Sequence, residues 1–176
     1  MAITWKIDPA HSEIQFKVKH LMITTVTGYF KSFTGEVTTD NEDFNTTTSI
    51  NFSAEINSIS TNNEQRDGHL KSEEFFHAEQ FPELTFASTR FSTLKNEATL
   101  QGNLTIKGVT RPVNLDVDFG GVVVDPWGQT KAGFTVTGTI SRKEFGLVWN
   151  AVTEAGSVVL SDDIRINAEV QLIRQD

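Results

Sequence analysis

Residues 61–86 read TNNEQRDGHLKSEEFFHAEQFPELTF and form a long break in a chain that otherwise alternates apolar and polar residues. Asn62 and Gln65 have the spacing of a helix N-cap and its reciprocating partner. The residues that follow have no period-two alternation, and Pro82 prevents a helix from continuing into the next strand. The sequence therefore predicts a short helical insert at about residues 62–76, which serves as a lid on a body made of strands.

The sequence on both sides of this insert alternates in the way that a half-buried β-strand requires. Between residues 26 and 37 the apolar positions change from even to odd, which predicts a β-bulge or bend near Lys31 and Ser32. Eight alternating segments are present, and the first clear one begins at Ser12. The segments cover residues 12–20, 26–37, 50–56, 84–91, 98–106, 113–119, 132–140 and 164–172.

Length and charge exclude several classes of protein. The chain has 176 residues and a formal net charge of −8. An all-β protein of this length is usually one domain, so we expect a single domain over residues 1–176. Nucleic acid is not an expected partner, because it requires clustered Lys and Arg side chains.

The same sequence predicts neither a cofactor nor a metal site. The chain has no Cys, and its four His residues lack the paired spacing typical of metal ligands. The first ten residues do not resemble a signal peptide, and no apolar run is long enough to span a membrane. The sequence as it stands therefore predicts a soluble cytoplasmic protein, or a periplasmic one if an export signal has been removed.

Eight strands with mostly short connections fit either an up-and-down barrel or a two-sheet sandwich. Small residues at inward positions, among them Ala98, Gly102 and Gly138, favour a cavity, since an eight-stranded barrel can fill itself or hold one small ligand. A larger side chain at Gly138 or Ala98 is then expected to enter the cavity without loss of the fold. The small residues also fit the bends of a packed sandwich, so alternation alone leaves both architectures open.

Six blocks of the sequence carry a family resemblance. They are WKIDPAHSEIQFKVKHLMITTVTGYFKSFTGEV (5–37), RDGHLKSEEFF (66–76), FPELTFAST (81–89), GNLTIKGVTRPVNL (102–115), AGFTVTGTISRKEFGL (132–147) and SDDIRI (161–166). In this order they resemble the signatures of the YceI-like family. The resemblance implies an all-β, eight-stranded antiparallel up-and-down barrel of lipocalin-like shape, whose long apolar cavity holds an isoprenoid or similar lipid. It also implies a homodimer.

The resemblance and the inward phase together give a set of candidate ligand-binding residues. Taken singly, each of them is better explained as a plain core residue, but collectively they would form the apolar lining of a lipid site. The set is Phe16, Val18, His20, Phe30, Phe52, Ala54, Phe86, Leu100, Leu104, Phe134, Val136 and Ile166.

Polar candidates accompany this lining. His20, at the end of an apolar face, could bind a lipid head group or could be a core histidine with a satisfied hydrogen bond. Arg66 and His69 are possible head-group or lid contacts, whereas we expect Asp67 to pin the insert to the barrel.

Arg142 is a further possible head-group contact, because it follows Ile140 on an inward phase. A buried guanidinium needs a compensating group, and Asp162 or Asp163 is the expected carboxylate partner.

Three functions remain open at this stage. The first is non-catalytic binding, storage or transport of a long apolar lipid, such as an isoprenoid or an isoprenoid quinone. The second is an enzyme acting on a lipid in the same cavity, and the third is an interaction module with a filled core. The sequence has none of the common nucleophile, phosphate-binding or metalloprotease motifs, so no catalytic residue is predicted.

Overall fold

A computed structural model of the chain describes residues 2–94, 97–150 and 159–176. One α-helix, α1, covers Glu64–Lys71, and the strands of these residues belong to one antiparallel sheet. The strands are β1 (Ile3–Ile7), β2 (Glu13–His20), β3 (Thr24–Phe30), β4 (Phe33–Thr39), β5 (Thr47–Glu55), β6 (Ile59–Ser60), β7 (Glu83–Leu94), β8 (Glu97–Ile106), β9 (Val109–Val124), β10 (Thr130–Ser141) and β11 (Leu160–Arg174).

The sheet closes into a barrel through β11. This strand pairs with β10 on one side and with both β1 and β2 on the other. β1 and β2 are two parts of one interrupted strand, and the pairs β3–β4 and β5–β6 are interrupted in the same way. Counted so, eight antiparallel strands follow one another around the barrel in chain order, which confirms the predicted up-and-down barrel and excludes the sandwich.

The predicted bend lies between β3 and β4. Lys31 and Ser32 leave the ladder there, and the backbone N–H of Lys31 donates to the carbonyl of Ser58 at 3.2 Å. Phe30 and Phe33 on either side are both buried, so two residues separate them where regular alternation has one. This one extra residue changes the apolar phase from even to odd positions.

Strand β1 was not predicted, because five residues are too few for a clear alternation signal. Its central residue, Trp5, is 1% exposed and donates its indole N–H to Thr39 Oγ1 at 3.1 Å. The ring of Phe44 packs against Trp5 with centroids 4.6 Å apart. These contacts belong to a second, smaller hydrophobic cluster at the end of the barrel where β1 begins.

The predicted short helix is present, and it begins slightly later than expected. Asn63, rather than Asn62, is the N-cap and accepts the backbone N–H of Arg66 at 3.0 Å. Asn62 instead has a φ of 63°, a left-handed conformation that Asn tolerates better than most residues. Turns, not a helix, occupy residues 72–80.

The two ends of the barrel differ in what covers them. At the end called here the lid end lie α1, the β2–β3 turn at residues 21–23, and residues 142–150. At the other end, called the base, lie the loop at residues 40–46, the β9–β10 turn at residues 125–129 and the described termini.

Asp8, which is 8% exposed, joins β1 to β10 near the base. Its carboxylate accepts hydrogen bonds from the backbone N–H of Ala10 at 3.1 Å, from His11 Nδ1 at 2.8 Å and from Lys131 Nζ at 3.1 Å. Burial alone would raise the pKa of Asp8, but these hydrogen bonds outweigh burial and hold the pKa below its ordinary value.

Replacing Asp8 with Asn is expected to lower the free energy of unfolding by about 1 to 3 kcal/mol at neutral pH, because it removes the carboxylate from a buried ammonium group. Since the pKa is lower in the folded than in the unfolded protein, the stabilisation is present above the unfolded value of about 3.9 and disappears as pH falls through the folded value. Urea unfolding of both proteins over a pH series measures this. A difference in stability that stays constant into acid would contradict the assignment.

Candidate functional site

An apolar cavity of about 270 Å³ lies inside the barrel. Leu70, Phe75 and Leu160 contribute to its wall at the lid end, and Phe44 and Leu172 contribute at the base. The accessible surface of the wall is apolar. The cavity therefore extends along the barrel axis and suits a long apolar molecule.

Period-two alternation places most of the predicted lining residues on this wall. Each strand turns every second side chain inward, so the inward phase read from the sequence selects wall residues without knowledge of strand order. Ten of the twelve candidates line the cavity, and their contact with a ligand stays a prediction. The ten are Phe16, Val18, Phe30, Phe52, Phe86, Leu100, Leu104, Phe134, Val136 and Ile166.

The other two candidates lie outside the wall. Ala54 is 1% exposed and pairs with Phe33, so it is packed core beside the bend. His20 ends β2, where it pairs with Leu160 and Thr24, and it is half-buried without reaching the cavity. His20 thus lies next to a wall residue but not on the wall, and its contact with a head group stays a prediction.

Several wall residues were missed because they lie outside the alternating segments. Leu70, Phe75 and Phe76 come from the lid, and Leu147 comes from the connection after β10. The adjacent pair Phe75 and Phe76 was the available signal, because two large apolar side chains are unusual in an exposed connection. Phe44, at the base, belongs to a short 3-10 turn in an otherwise polar loop.

Aromatic contacts attach the lid to the barrel. Phe76 packs edge-on against Phe30 with centroids 6.2 Å apart, and Phe75 lies 5.3 Å from Trp149. The ring of His69 packs against both Phe75 and Trp149 at 5.0 and 4.8 Å, and its Nε2 hydrogen-bonds Glu74. His69 is thus a lid contact, and it is not part of the cavity wall.

Arg66 and Asp67 bind Thr61, the residue that follows β6. Arg66 donates from Nε to Thr61 Oγ1 at 2.8 Å and from Nη2 to the Thr61 carbonyl at 2.7 Å. Asp67 Oδ1 accepts the backbone N–H and the hydroxyl of Thr61, which is 4% exposed. Both side chains therefore hold α1 against the barrel, as expected for Asp67, and Arg66 does not reach the cavity.

Arg142 lines the cavity near the lid end and is 2% exposed. Its guanidinium donates to four backbone carbonyls and forms no ion pair with Asp162 or Asp163, so the predicted carboxylate partner is wrong. The carbonyls belong to Leu147 (2.7 Å), Trp149 (2.7 Å), Leu160 (3.4 Å) and Ser161 (2.8 Å).

Asp162 is engaged elsewhere. It accepts hydrogen bonds from the Ser141 hydroxyl and from the backbone N–H of Lys143. Burial lowers the pKa of Arg142, and the charge of nearby Asp162 partly offsets this. Because an arginine ordinarily titrates above about pH 12, the guanidinium stays charged at neutral pH.

Backbone carbonyls take up most of the donors of Arg142. A guanidinium has five N–H donors, and four hydrogen bonds to described residues account for four of them. The wall at the lid end therefore includes a charged guanidinium whose donors serve mainly backbone carbonyls, while the accessible surface of the cavity is apolar.

The glycines expected to make room for a lipid are covered by neighbouring side chains. A Cβ on Gly102 would collide with the Phe86 ring and lie 2.6 Å from the Ala87 carbonyl oxygen, and one on Gly138 would lie 2.5 Å from Leu115 Cδ2. A larger residue at Gly138 would have to displace the end of the Leu115 side chain, and its tolerance stays a prediction. Ala98 lines a second pocket of about 170 Å³ at the base, not the main cavity.

Within residues 2–94, 97–150 and 159–176, no group of three or more His, Asp or Glu side chains is arranged to hold a metal ion. In the same part of the chain, no helix has both the length and the apolar character needed to cross a bilayer.

Comparison with known proteins places this architecture in a family. A family model described as the YceI-like domain matches residues 5–172. UPF0312 proteins of Staphylococcus epidermidis and Staphylococcus aureus are 41% and 40% identical over 170 and 167 residues, which are 95% and 93% of this chain and 95% and 94% of the relatives.

Solved structures share the fold. A Campylobacter jejuni YceI protein is 31% identical, with a TM-score of 0.77 and coverage of 91% of both chains. BcnA of Burkholderia cenocepacia has a TM-score of 0.80 at 20% identity, covering 94% of this chain and 98% of BcnA. A polyisoprenoid-binding domain from Saccharophagus degradans has a TM-score of 0.71 at 13% identity, covering 97% of this chain and 98% of that domain.

The packing around the glycines gives a stability prediction. Gly102→Ala is expected to destabilise the barrel by about 1 to 3 kcal/mol, because its Cβ must displace the Phe86 ring and a backbone carbonyl. Gly68→Ala in α1 is the matched control. Its Cβ meets nothing within 4 Å, and Ala should stabilise a helix interior by roughly 0.5 to 1 kcal/mol. Denaturant unfolding measures both changes, and equal stability of Gly102→Ala and wild type would contradict the packing.

The hydrogen bonds of Arg142 give a second stability prediction. Arg142→Met is expected to cost on the order of 3 to 5 kcal/mol, because it leaves several buried carbonyls without a donor. Arg142→Lys keeps the charge but has three donors on one atom, so it should recover only part of the loss. Thermal and urea unfolding test the series. A Met variant as stable as wild type would mean that water satisfies these carbonyls.

Proposed function

Because the chain belongs to the YceI-like domain family, we propose that its barrel binds one long apolar lipid, an isoprenoid or isoprenoid quinone, without catalysing a reaction on it. The apolar cavity along the barrel axis is the observation that carries this proposal. The polyisoprenoid-binding domain of Saccharophagus degradans, which has the same fold, supports an isoprenoid as the ligand.

The size of the cavity favours a ligand over a filled core. Its volume of about 270 Å³ approaches the range of roughly 300 to 1,000 Å³ that is typical of ligand pockets. An apolar void destabilises a protein by roughly 24 cal/mol for each Å³, so an empty cavity of this size would cost several kcal/mol. A lipid that fills the cavity would recover this loss and stabilise the barrel.

The two ends of the cavity suggest how the lipid lies. At the lid end the cavity lies beside the guanidinium of Arg142, whose positive charge would attract an oxygen of a quinone or a phosphate. At the base, the ring of Phe44 is packed against Trp5 and Phe134, with centroids 4.6 and 4.9 Å away. The polar head group therefore belongs near Arg142 and the apolar tail toward Phe44.

Carriage fits this cavity better than turnover. An enzyme acting on the lipid would need an acid, a base or a nucleophile exposed to it. The accessible surface that the described residues give the cavity is apolar instead. Storage or transport of the lipid follows as the physiological role.

Extraction of the purified protein with organic solvent, followed by mass spectrometry, tests the proposal directly. An isoprenoid lipid is expected in the wild-type extract. Ala168→Leu should keep the fold and lose the lipid, because Ala168 lines the cavity and the added carbons would occupy it. Ala98→Leu makes the same change outside the cavity and should retain the lipid.

Thermal unfolding completes this test. An added isoprenoid quinone should raise the melting temperature of lipid-free wild type and of Ala98→Leu, as expected for a ligand that binds the folded state. It should leave Ala168→Leu unchanged. A wild type that yields no lipid and shows no thermal shift would mean that the proposed function is wrong.

A further inference from the structure

We propose that the lid end of the barrel docks on the surface of an anionic lipid bilayer through the turn between β2 and β3. The biological reason for docking rests on the proposed function, because an apolar lipid would enter or leave the cavity at a bilayer. The physical basis for docking is independent and consists of exposed apolar side chains, an unusual turn and the distribution of charge.

Two segments of the lid end expose large apolar side chains. Met22 and Ile23 in the β2–β3 turn are 57% and 77% exposed, and Val148 in the connection after β10 is 61% exposed. Clustered apolar side chains of this size on a surface are typical of an interaction site.

Hydrogen bonds to the start of β11 hold the two segments on either side of it. The backbone N–H of Leu21 donates to the Val159 carbonyl at 2.7 Å, and the Asn150 side chain donates to the Leu160 carbonyl at 2.8 Å. Leu160 also pairs with His20. Both Leu160 and Val18 line the cavity. The apolar patch therefore lies directly beside the cavity wall.

The backbone of the turn keeps these side chains outside the barrel. Leu21 and Met22 have φ angles of 52° and 61°, in the left-handed region that bulky side chains disfavour. The turn thus combines unfavourable backbone with apolar side chains that bury little surface within the chain. Hairpin turns of this geometry usually carry Asn or Gly, so the exposed apolar side chains are the unusual feature.

Charge indicates the partner of this turn. Residues 14–35 contain Lys17, Lys19 and Lys31 but no Asp or Glu, although the chain has 23 acidic and 15 basic residues. On the outer face, Lys17 pairs in register with Arg165, and neither forms an ion pair with the nearby exposed Asp163 or another described residue. Like charges directly opposite each other destabilise a sheet, and an anionic surface would neutralise them.

The base of the barrel carries a comparable apolar patch with the opposite charge around it. Val123, Val124 and Trp127 are 66%, 67% and 83% exposed. The pair of charges that faces across neighbouring strands here is Glu97 with Asp118, which an anionic surface would repel. The charges beside the β2–β3 turn therefore favour this turn over the base, although Glu64, Glu74 and Glu144 are exposed elsewhere at the lid end. The base supplies a control of similar exposure.

Flotation with vesicles tests the docking without any cargo lipid. Wild type is expected to float with vesicles of phosphatidylcholine mixed with phosphatidylglycerol, to bind phosphatidylcholine alone far less, and to be released by salt. Ile23→Ser/Val148→Ser should weaken partitioning by about tenfold or more, because two apolar side chains no longer enter the interface. Lys17→Gln/Lys19→Gln should weaken it by roughly twenty-fivefold, at about fivefold for each cation.

Matched variants at the base serve as controls. Val123→Ser/Trp127→Ser and Lys6→Gln should float as wild type does, and circular dichroism should give all variants the wild-type fold. The proposal fails if wild type does not float, or if the base variants are the ones that lose binding. It also fails if Ile23→Ser/Val148→Ser changes only the sedimentation coefficient, because the patch is then an interface between two copies of the chain.

The outcome is separable from that of the proposed function. A protein that yields an extracted isoprenoid but does not float would overturn the docking and leave lipid carriage intact. A protein that floats through Ile23 and Val148 but yields no cavity lipid would overturn lipid carriage and leave the docking intact.

Discussion

Closure of the sheet by β11 is the constraint on which the rest of the structure depends. A strand edge left open exposes unpaired backbone groups, and a barrel removes such edges entirely. Here β11 meets β10 on one side and the interrupted strand β1–β2 on the other. Once the sheet is closed, every inward side chain faces the same interior, so alternation along each strand is converted into one continuous apolar wall.

The interior stays partly open because large side chains fill it unevenly. Phe86 and Leu115 cover the positions of Gly102 and Gly138, which makes the middle of those strands solid. Phe44 closes the base, whereas Phe75 and Phe76 belong to the lid. The lid is attached by aromatic contacts and by the hydrogen bonds of Arg66 and Asp67 to Thr61. An apolar space therefore remains between two ends of different construction, one within a tightly packed cluster and the other under a separate segment.

Much of this could be predicted from the sequence, because strand phase is a local property. The alternation of apolar and polar residues assigned Phe16 and Phe134 to the wall. A change in the phase of that alternation predicted the bend at Lys31 and Ser32. What depends on neighbours across strands could not be predicted, such as the Phe86 ring above Gly102. The partners of Arg142 were missed for a related reason: backbone carbonyls exist at every position, so the sequence does not indicate which of them converge.

The carbonyl contacts of Arg142 also concern how the fold is fastened. One guanidinium joins residues 147 and 149 to residues 160 and 161, so it ties together two segments that are separate in sequence, as a crosslink would. The chain has no cysteine, so these hydrogen bonds of Arg142 link the two segments where many small β-proteins have a disulfide. Neither guanidinium nor carbonyl takes part in thiol exchange. The connection beside the lid is therefore held equally well in reducing and in oxidising surroundings.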